Sequence, residues 1–252
     1  MRVSVVRHGD RRRRARWRRV VWGGGEALVT VGVVLMLLVV HQLWWTNREA
    51  REGAEREVRA LERSWGGSGS GEGEARGAEG GRGPSPDAER PRTPSAVRAA
   101  PVPSRAYAIL TIPRLRLRVP VAEGIGKADV LNKGYVGHYP GTAHPGQPGN
   151  FALAGHRNTH GEPFRHLDRL RRSDAITVET EDAVYTYRVG RTLPQTSAHD
   201  VGVIRAVPRS LVRPGQGYRE PGYYITLTTC TPVYTSRYRL VVWGTLASMR
   251  PR

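Results

Sequence analysis

The chain has 252 residues, with 40 Lys and Arg against 22 Asp and Glu and a formal net charge of +18. That length holds one domain of about 150 residues with accessory segments, and a single cysteine excludes a fold stapled by internal disulfides. The charge is unevenly spread, +7 over residues 1–45, zero over 46–103 and +11 over 104–252, so regions of different physical character are expected.

Residues 1–22 form an arginine-rich arm that should be cytoplasmic, and residues 23–45 a transmembrane anchor. Within the latter, the stretch 27–40 is apolar apart from Thr30 and Gly32. With residues 23–25 and Leu43, Trp44 and Trp45 it approaches the roughly 20 residues a bilayer needs. The competing readings are a cleavable signal and a buried core helix. A signal would end in small residues at a cleavage site, whereas His41, Leu43, Trp44 and Trp45 follow this run. Glu26 lies close enough to one end to reach the headgroups, and Trp22 and the Trp44–Trp45 pair suit the two interfacial belts. Nine arginines precede the span, while the 20 residues after it hold five arginines balanced by five glutamates. The N-terminus is therefore expected inside and the remainder outside. An arginine-rich arm by itself would suit a nucleic-acid binder; the adjoining apolar run favours the topological reading, and no nucleic-acid partner is expected.

Residues 46–103 read as a disordered linker rich in Gly, Pro and Ser. The linker opens with REAREGAEREVRALERSW, whose Glu and Arg spacings suit a short exposed helix. It then passes into GGSGSGEGEARGAEGGRGPSPDAERPRTPSAVRAAPVP, a composition that cannot bury a core and that stiffens where proline accumulates.

Residues 104–252 form the globular part. AYAILTI, LRLRVPV, NFALAGH, AITVET, AVYTYRV, YYITLTTC and RYRLVVWGTL are rich in Val, Ile, Thr, Tyr and Leu and are separated by turn residues. Short helices fit only around 127–133 and 162–171. Seven or eight closely spaced strands predict an all-β barrel or sandwich.

Cys230 is either a buried hydrophobe or a reactive thiol. Pro232 ends its strand and puts the thiol where loops begin, a common location for chemistry. A nucleophilic cysteine needs a base, and acyl transfer needs a group to hold the oxyanion. GNFALAGHR delivers His156 from an apolar strand into a polar loop, although an exposed loop histidine would look the same. A hairpin return from Cys230 would bring Arg239 beside it, with Arg237 on the same face as the alternative. His156 and His160 have the four-residue spacing of a helical zinc pair, but the Glu of HExxH is missing and Gly161 and Pro163 oppose a helix. No metal and no cofactor are expected.

These residues carry a resemblance to the sortases. YITLTTCTP resembles their TLxTC motif, GNFALAGHR the strand with their histidine, and the arginine nine residues beyond the cysteine their arginine. TIPRLRLRVPVAEG and GHYPGTAHPGQPGNFALAGHRNTHGEPFRHLDRL extend the likeness over about residues 107–246, closest to the class E sortases of high-GC actinobacteria. The resemblance implies a closed eight-stranded sortase barrel, with Cys230 as nucleophile, His156 as acid/base partner and Arg239 as oxyanion and substrate stabiliser.

The implied reaction is cleavage of an LPxTG-like sorting signal, in the LAxTG form, between Thr and Gly, with transfer of the Thr carbonyl to an amine. The implied partners are secreted proteins bearing such a signal and a peptidoglycan-precursor or pilin amine. Thr231, where class E sortases often have His, and His144, where an apolar residue is common, depart from the pattern in loops expected to border the substrate groove. Residues 191–221 should form the long loop that shapes signal recognition. A cysteine peptidase with the same chemistry and a noncatalytic wall-binding module are the alternatives; the +11 domain suits anionic wall polymers.

Overall fold

The β-branched and aromatic runs of residues 106–251 become eight strands: β1 Ala106–Ile112, β2 Leu117–Glu123, β3 Val136–His138, β4 Gly149–Ala154, β5 Ala175–Glu179, β6 Ala183–Ser197, β7 Tyr223–Thr231 and β8 Tyr238–Pro251. The computed structural model describes residues 8–67 and 105–252. The strands close into a barrel in the order β1-β2-β3-β4-β7-β8-β6-β5, as the resemblance implied. Closure leaves no open sheet edge, the usual liability of an antiparallel sheet. Two pairings, β2 with β3 and β4 with β7, are parallel; the others are antiparallel.

Burial follows position in the barrel. β5 alternates half-buried and buried residues, one face on the core and one toward water. β4 and β7 are buried at nearly every position, as expected for adjacent strands covered on both faces. The interior is filled by apolar side chains including Leu110, Phe151, Leu153, Ile176, Leu227 and Val242. A second small cluster of Leu193, Val203, Val241 and Trp243 lies apart from it. There the buried Trp243 indole N–H donates to the Val203 carbonyl at 3.0 Å, which fixes a loop to the barrel.

The structure corrects several expectations. The helices expected near 127–133 and 162–171 are single 3-10 turns, Leu131–Lys133 and Leu167–Arg169. β3 has only three residues, too few to show a period. β6 runs through to Ser197, because its pairing with β8 continues across three register shifts; the β6–β7 connection therefore begins at residue 198, not at 191. Asp200 organises this connection, accepting from Thr196 Oγ1 at 2.6 Å, from the Leu211 N–H at 2.9 Å and from Ser210 Oγ.

The largest correction concerns the linker. One helix, α1 (His8–Gly67), runs through both the expected anchor and the start of the expected tether. The chain divides into two units, one ending at Thr46 and one spanning Asn47–Arg252. In the first, α1 is long and apolar enough to cross a membrane. In the second, residues 47–67 are packed on the barrel unit through Ala50, Ala54 and Val58, which are buried at intervals of four residues. Arg118 on β2 and Glu62 pair at 2.7 Å. A stripe of small side chains within a polar sequence makes this interface, so overall composition hid it. Residues 1–7 of the arm and 68–104, which include the rest of the expected linker, lie outside the described residues.

Trp243 is fully buried and carries both the second cluster and the hydrogen bond to Val203. Trp243→Ala is expected to cost about 3–5 kcal/mol, measured by denaturant unfolding; a loss under about 1 kcal/mol would show that the cluster does not hold the loop.

Candidate active site

β4 and β7 run parallel in a register that sets Ala154 opposite Thr228, so their C-terminal ends emerge at the same rim of the barrel. β4 leads into Gly155 and His156, and β7 into Cys230. β8 pairs antiparallel with β7 and starts at that rim, with Arg239 directly opposite Cys230. Three adjacent strands thus bring together the three residues that the sequence singled out.

The threonines of TLTTC have a structural cause. Thr226, Thr228 and Thr229 are buried, and an unpaired buried hydroxyl is costly. Thr226 donates to Asn150 Oδ1 at 2.8 Å, Thr228 to the Leu153 carbonyl at 3.1 Å and Thr229 to the Gly155 carbonyl at 2.8 Å. The cysteine strand is therefore bonded along its length to the histidine strand. Gly155 also lies against the Phe164 ring, which a Cβ would approach to 2.7 Å; only glycine allows the chain to pass there and present His156.

The side chains sit as follows. Cys230 is a free, half-buried thiol. His156 Nε2 lies 2.9 Å from Asn132 Oδ1, an arrangement in which the ring N–H donates to the amide oxygen. The His156 and His160 rings stack at 5.3 Å with 29° between their planes. Burial, with smaller contributions from His160 and Lys127, pushes the His156 value down to about 4. Arg239 donates to the Ser236 carbonyl at 2.9 Å and the Tyr238 carbonyl at 3.1 Å. Arg237 precedes β8 and lies over the Tyr238 ring at 5.2 Å. Among the described residues, no hydrogen bond joins Cys230, His156 and Arg239 to one another.

Sequence reasoning missed two groups. Arg157, only 6% exposed, donates from Nη1 to the Cys230 carbonyl at 3.2 Å and to Thr231 Oγ1 at 2.9 Å, and pairs with Asp168 at 3.5 Å. It ties the ends of the two strands together. Its only signal was adjacency to His156, and a lone loop arginine reads as solvated. The other is the turn His160-Gly161-Glu162, whose φ values of 51°, 81° and 52° are all left-handed. Each non-glycine residue so held costs on the order of 1–3 kcal/mol.

Glu123, His138 and His144 form the one group of possible metal ligands among the described residues, their ligand atoms all within 4.8 Å of one another. His138 is already engaged: Tyr107 Oη and Glu123 Oε2 lie 2.7 and 2.8 Å from Nδ1, and Nε2 faces the Ala143 carbonyl at 3.2 Å. The cluster is a hydrogen-bonded brace between β2 and the β3–β4 connection. His156 and His160 are not a helical ligand pair, since the chain between them bends and forms no helix.

A thiol, an imidazole and a guanidinium at one rim can support nucleophilic attack, proton transfer and charge stabilisation. Residues 110–247 match the family model described as the sortase domain. The chain is similar to Sortase SrtE1 of Streptomyces coelicolor, 42% identical over 233 residues, an alignment covering 90% of this chain and 57% of that one; it thus spans little more than half of that relative. It is 35% identical to Sortase SrtE2 of the same organism over 232 residues, covering 88% and 80% of the two chains. Among solved structures, that of Sortase E1 from Streptomyces coelicolor with a tripeptide in its active site superposes with a TM-score of 0.56 at 49% identity, covering 61% of this chain and 94% of that one.

The titration of His156 is expected to have a midpoint near 4, well below the ordinary 6.5, when followed by NMR of labelled histidine. An unfolded chain would take up this proton first, so His156 subtracts stability as the pH falls from 6.5 toward 4. Unfolding of His156→Gln should be correspondingly less sensitive to pH across that window. A midpoint at or above 6.5 would contradict the burial argument.

Proposed function

The chain belongs to the sortase family, a family of cysteine transpeptidases, and from that premise we propose that it transfers proteins bearing an LPxTG-like signal, in the LAxTG form, from the Thr–Gly bond to an amine acceptor. The observation that carries this reading is the register of three adjacent strands, which sets Arg239 opposite Cys230 and starts His156 from the neighbouring strand end.

In the proposed mechanism the Cys230 proton passes to the neutral His156 imidazole, and the thiolate attacks the Thr carbonyl carbon. Arg239, freed from the two carbonyls it now serves, stabilises the oxyanion. The Thr–Gly C–N bond breaks, and the imidazolium gives its proton to the departing glycine nitrogen. This leaves a thioester on Cys230. An acceptor amine attacks it, His156 takes the amine proton, and the C–S bond breaks to form the new amide. Because burial depresses His156, its imidazole is mostly neutral at neutral pH and is in the form that accepts a proton.

We read the acceptor as a peptidoglycan-precursor or pilin amine and the products as proteins attached to the cell surface. The N-terminal helix is read as a single membrane anchor, with the N-terminus in the cytoplasm and the barrel outside. The peptide-bound relative supports a peptide groove at this rim.

The purified full chain, incubated with an LAxTG peptide and excess glycine-type amine, should yield the peptide joined through Thr to the amine, detected by mass. Cys230→Ala should abolish the product, and Arg239→Ala should lower kcat by about 10²–10³. Hydrolysis alone, with the amine in excess, would favour a peptidase; no turnover and no thioester on Cys230 with LAxTG and LPxTG peptides would overturn the reading.

The single cysteine also tests topology. A membrane-impermeant thiol reagent applied to intact cells should label Cys230, and labelling only after lysis would place the barrel inside.

A further inference from the structure

His156 is held by two turns, and both lean on one short stretch of α1. The first is the 3-10 turn Leu131–Lys133, which carries Asn132, the partner of His156 Nε2. It ends at the left-handed Gly134, where a Cβ would meet the Ala50 carbonyl oxygen at 2.7 Å. The second is the turn 160–162, which carries His160, stacked on His156. At its centre a Cβ on Gly161 would meet Arg51 Cγ at 3.3 Å.

Polar bonds fix the second turn to the same stretch. Asn47 Oδ1 accepts from the Gly161 N–H at 3.3 Å, and Asn47 Nδ2 donates to Glu162 Oε1 at 3.1 Å. Arg51 Nε donates to the Gly161 carbonyl at 3.1 Å, and its Nη2 lies 3.2 Å from Glu162 Oε2. The Glu162 side chain is only 7% exposed and also pairs with Arg165 at 2.6 Å. A run of three left-handed residues persists only where its surroundings over-determine it, and here α1 supplies much of that constraint.

We propose that Asn47, Ala50 and Arg51 of α1 are positioning residues for His156, so that residues 47–51, where the docked segment begins, serve the catalytic machinery and are not part of a passive tether. This rests on the reading of His156 as the acid/base group. The titratable and charged groups around the His156 ring are His160 on its own loop, Lys127 from the β2–β3 connection, and Arg157, Cys230 and Arg239 at the adjoining rim. None of these lies on α1, so a change at Asn47 or Arg51 reaches the ring only through the turns.

The test uses the full chain, in Asn47→Ala/Arg51→Ala and, as a control, in Glu62→Ala, which removes the Arg118 pair at the other end of the docked segment. The double variant should lose about ten- to a hundredfold in kcat, with KM changed less than about twofold. Its His156 midpoint should move up from near 4 as the ring loosens from its surroundings, while Glu62→Ala keeps wild-type kcat and midpoint. Arg51→Lys, which keeps a donor toward Glu162, should restore part of the loss. Should the double variant not fold, Arg51→Ala alone carries the test, because both Asn47 bonds remain. An unchanged kcat and midpoint in a folded variant, or equal losses in Glu62→Ala, would overturn the proposal. Absence of transpeptidation by the wild-type chain would instead sink the functional reading, and the titration would still report whether α1 holds the ring.

Discussion

The parallel pairing of β4 with β7 is the constraint on which the rest of the site depends. In a barrel of mostly antiparallel strands, a chain that leaves one strand end normally returns beside it, and neighbouring strands finish at opposite rims. The parallel pair breaks that rule and lets two chain segments, 74 residues apart at His156 and Cys230, finish side by side. A parallel pair cannot be closed by a tight turn, and here the long excursion through β5, β6 and the Asp200-organised connection provides the crossover. β8 then needs only a hairpin to bring Arg239 opposite Cys230.

Register in that pair is fixed twice. The apolar sequence of both strands would tolerate a slip, because nearly every position is buried on one side or the other. The hydroxyls of Thr226, Thr228 and Thr229 would not, since a one-residue shift takes each away from its acceptor in a dry environment. Arg157 adds a lock at the rim by bonding the Cys230 carbonyl and the Thr231 hydroxyl. A guanidinium so deeply buried needs partners: Nη1 makes both of these bonds and Asp168 faces Nη2 as the countercharge, while Nε has no hydrogen-bond partner among the described residues. The buried polar groups of this region thus specify alignment more than they add stability.

Much of this was legible in the sequence, for identifiable reasons. The strands announced themselves because β-branched and aromatic residues cluster between Gly and Pro turns, and the lone cysteine before Pro232 drew attention to the end of β7. The place of His156 at the end of an apolar run singled it out, and the resemblance of GNFALAGHR and YITLTTCTP to the sortases implied its role and a closed barrel. Four features were not legible. β3 is too short for periodicity, and the far half of β6 carries Gly190, Pro194 and polar residues that read as loop although β8 still pairs with it. The docked part of α1 has a polar composition, and its contact is made by alanines that only the three-dimensional arrangement distinguishes from surface residues. The left-handed turn at 160–162 has only one glycine, and contacts that hold Gly161 and Glu162 come from more than a hundred positions earlier.

That separation bears on how the site is poised. The His156 ring loses water on its own rim and gains only an amide oxygen and a second imidazole, neither of which carries a negative charge. The lost water, the second imidazole and the nearby Lys127 each favour the neutral form. Arg239 Nη1 meanwhile donates to two carbonyls of its own hairpin. Charge in this site is therefore unfavourable until something new arrives at the rim. A peptide carbonyl on Cys230 is the kind of group that gives Arg239 a better acceptor, and its bulk would displace water from the same space, strengthening every interaction of the ion pair that follows. A groove that becomes electrostatically complete only around an acyl group disfavours charge separation when empty.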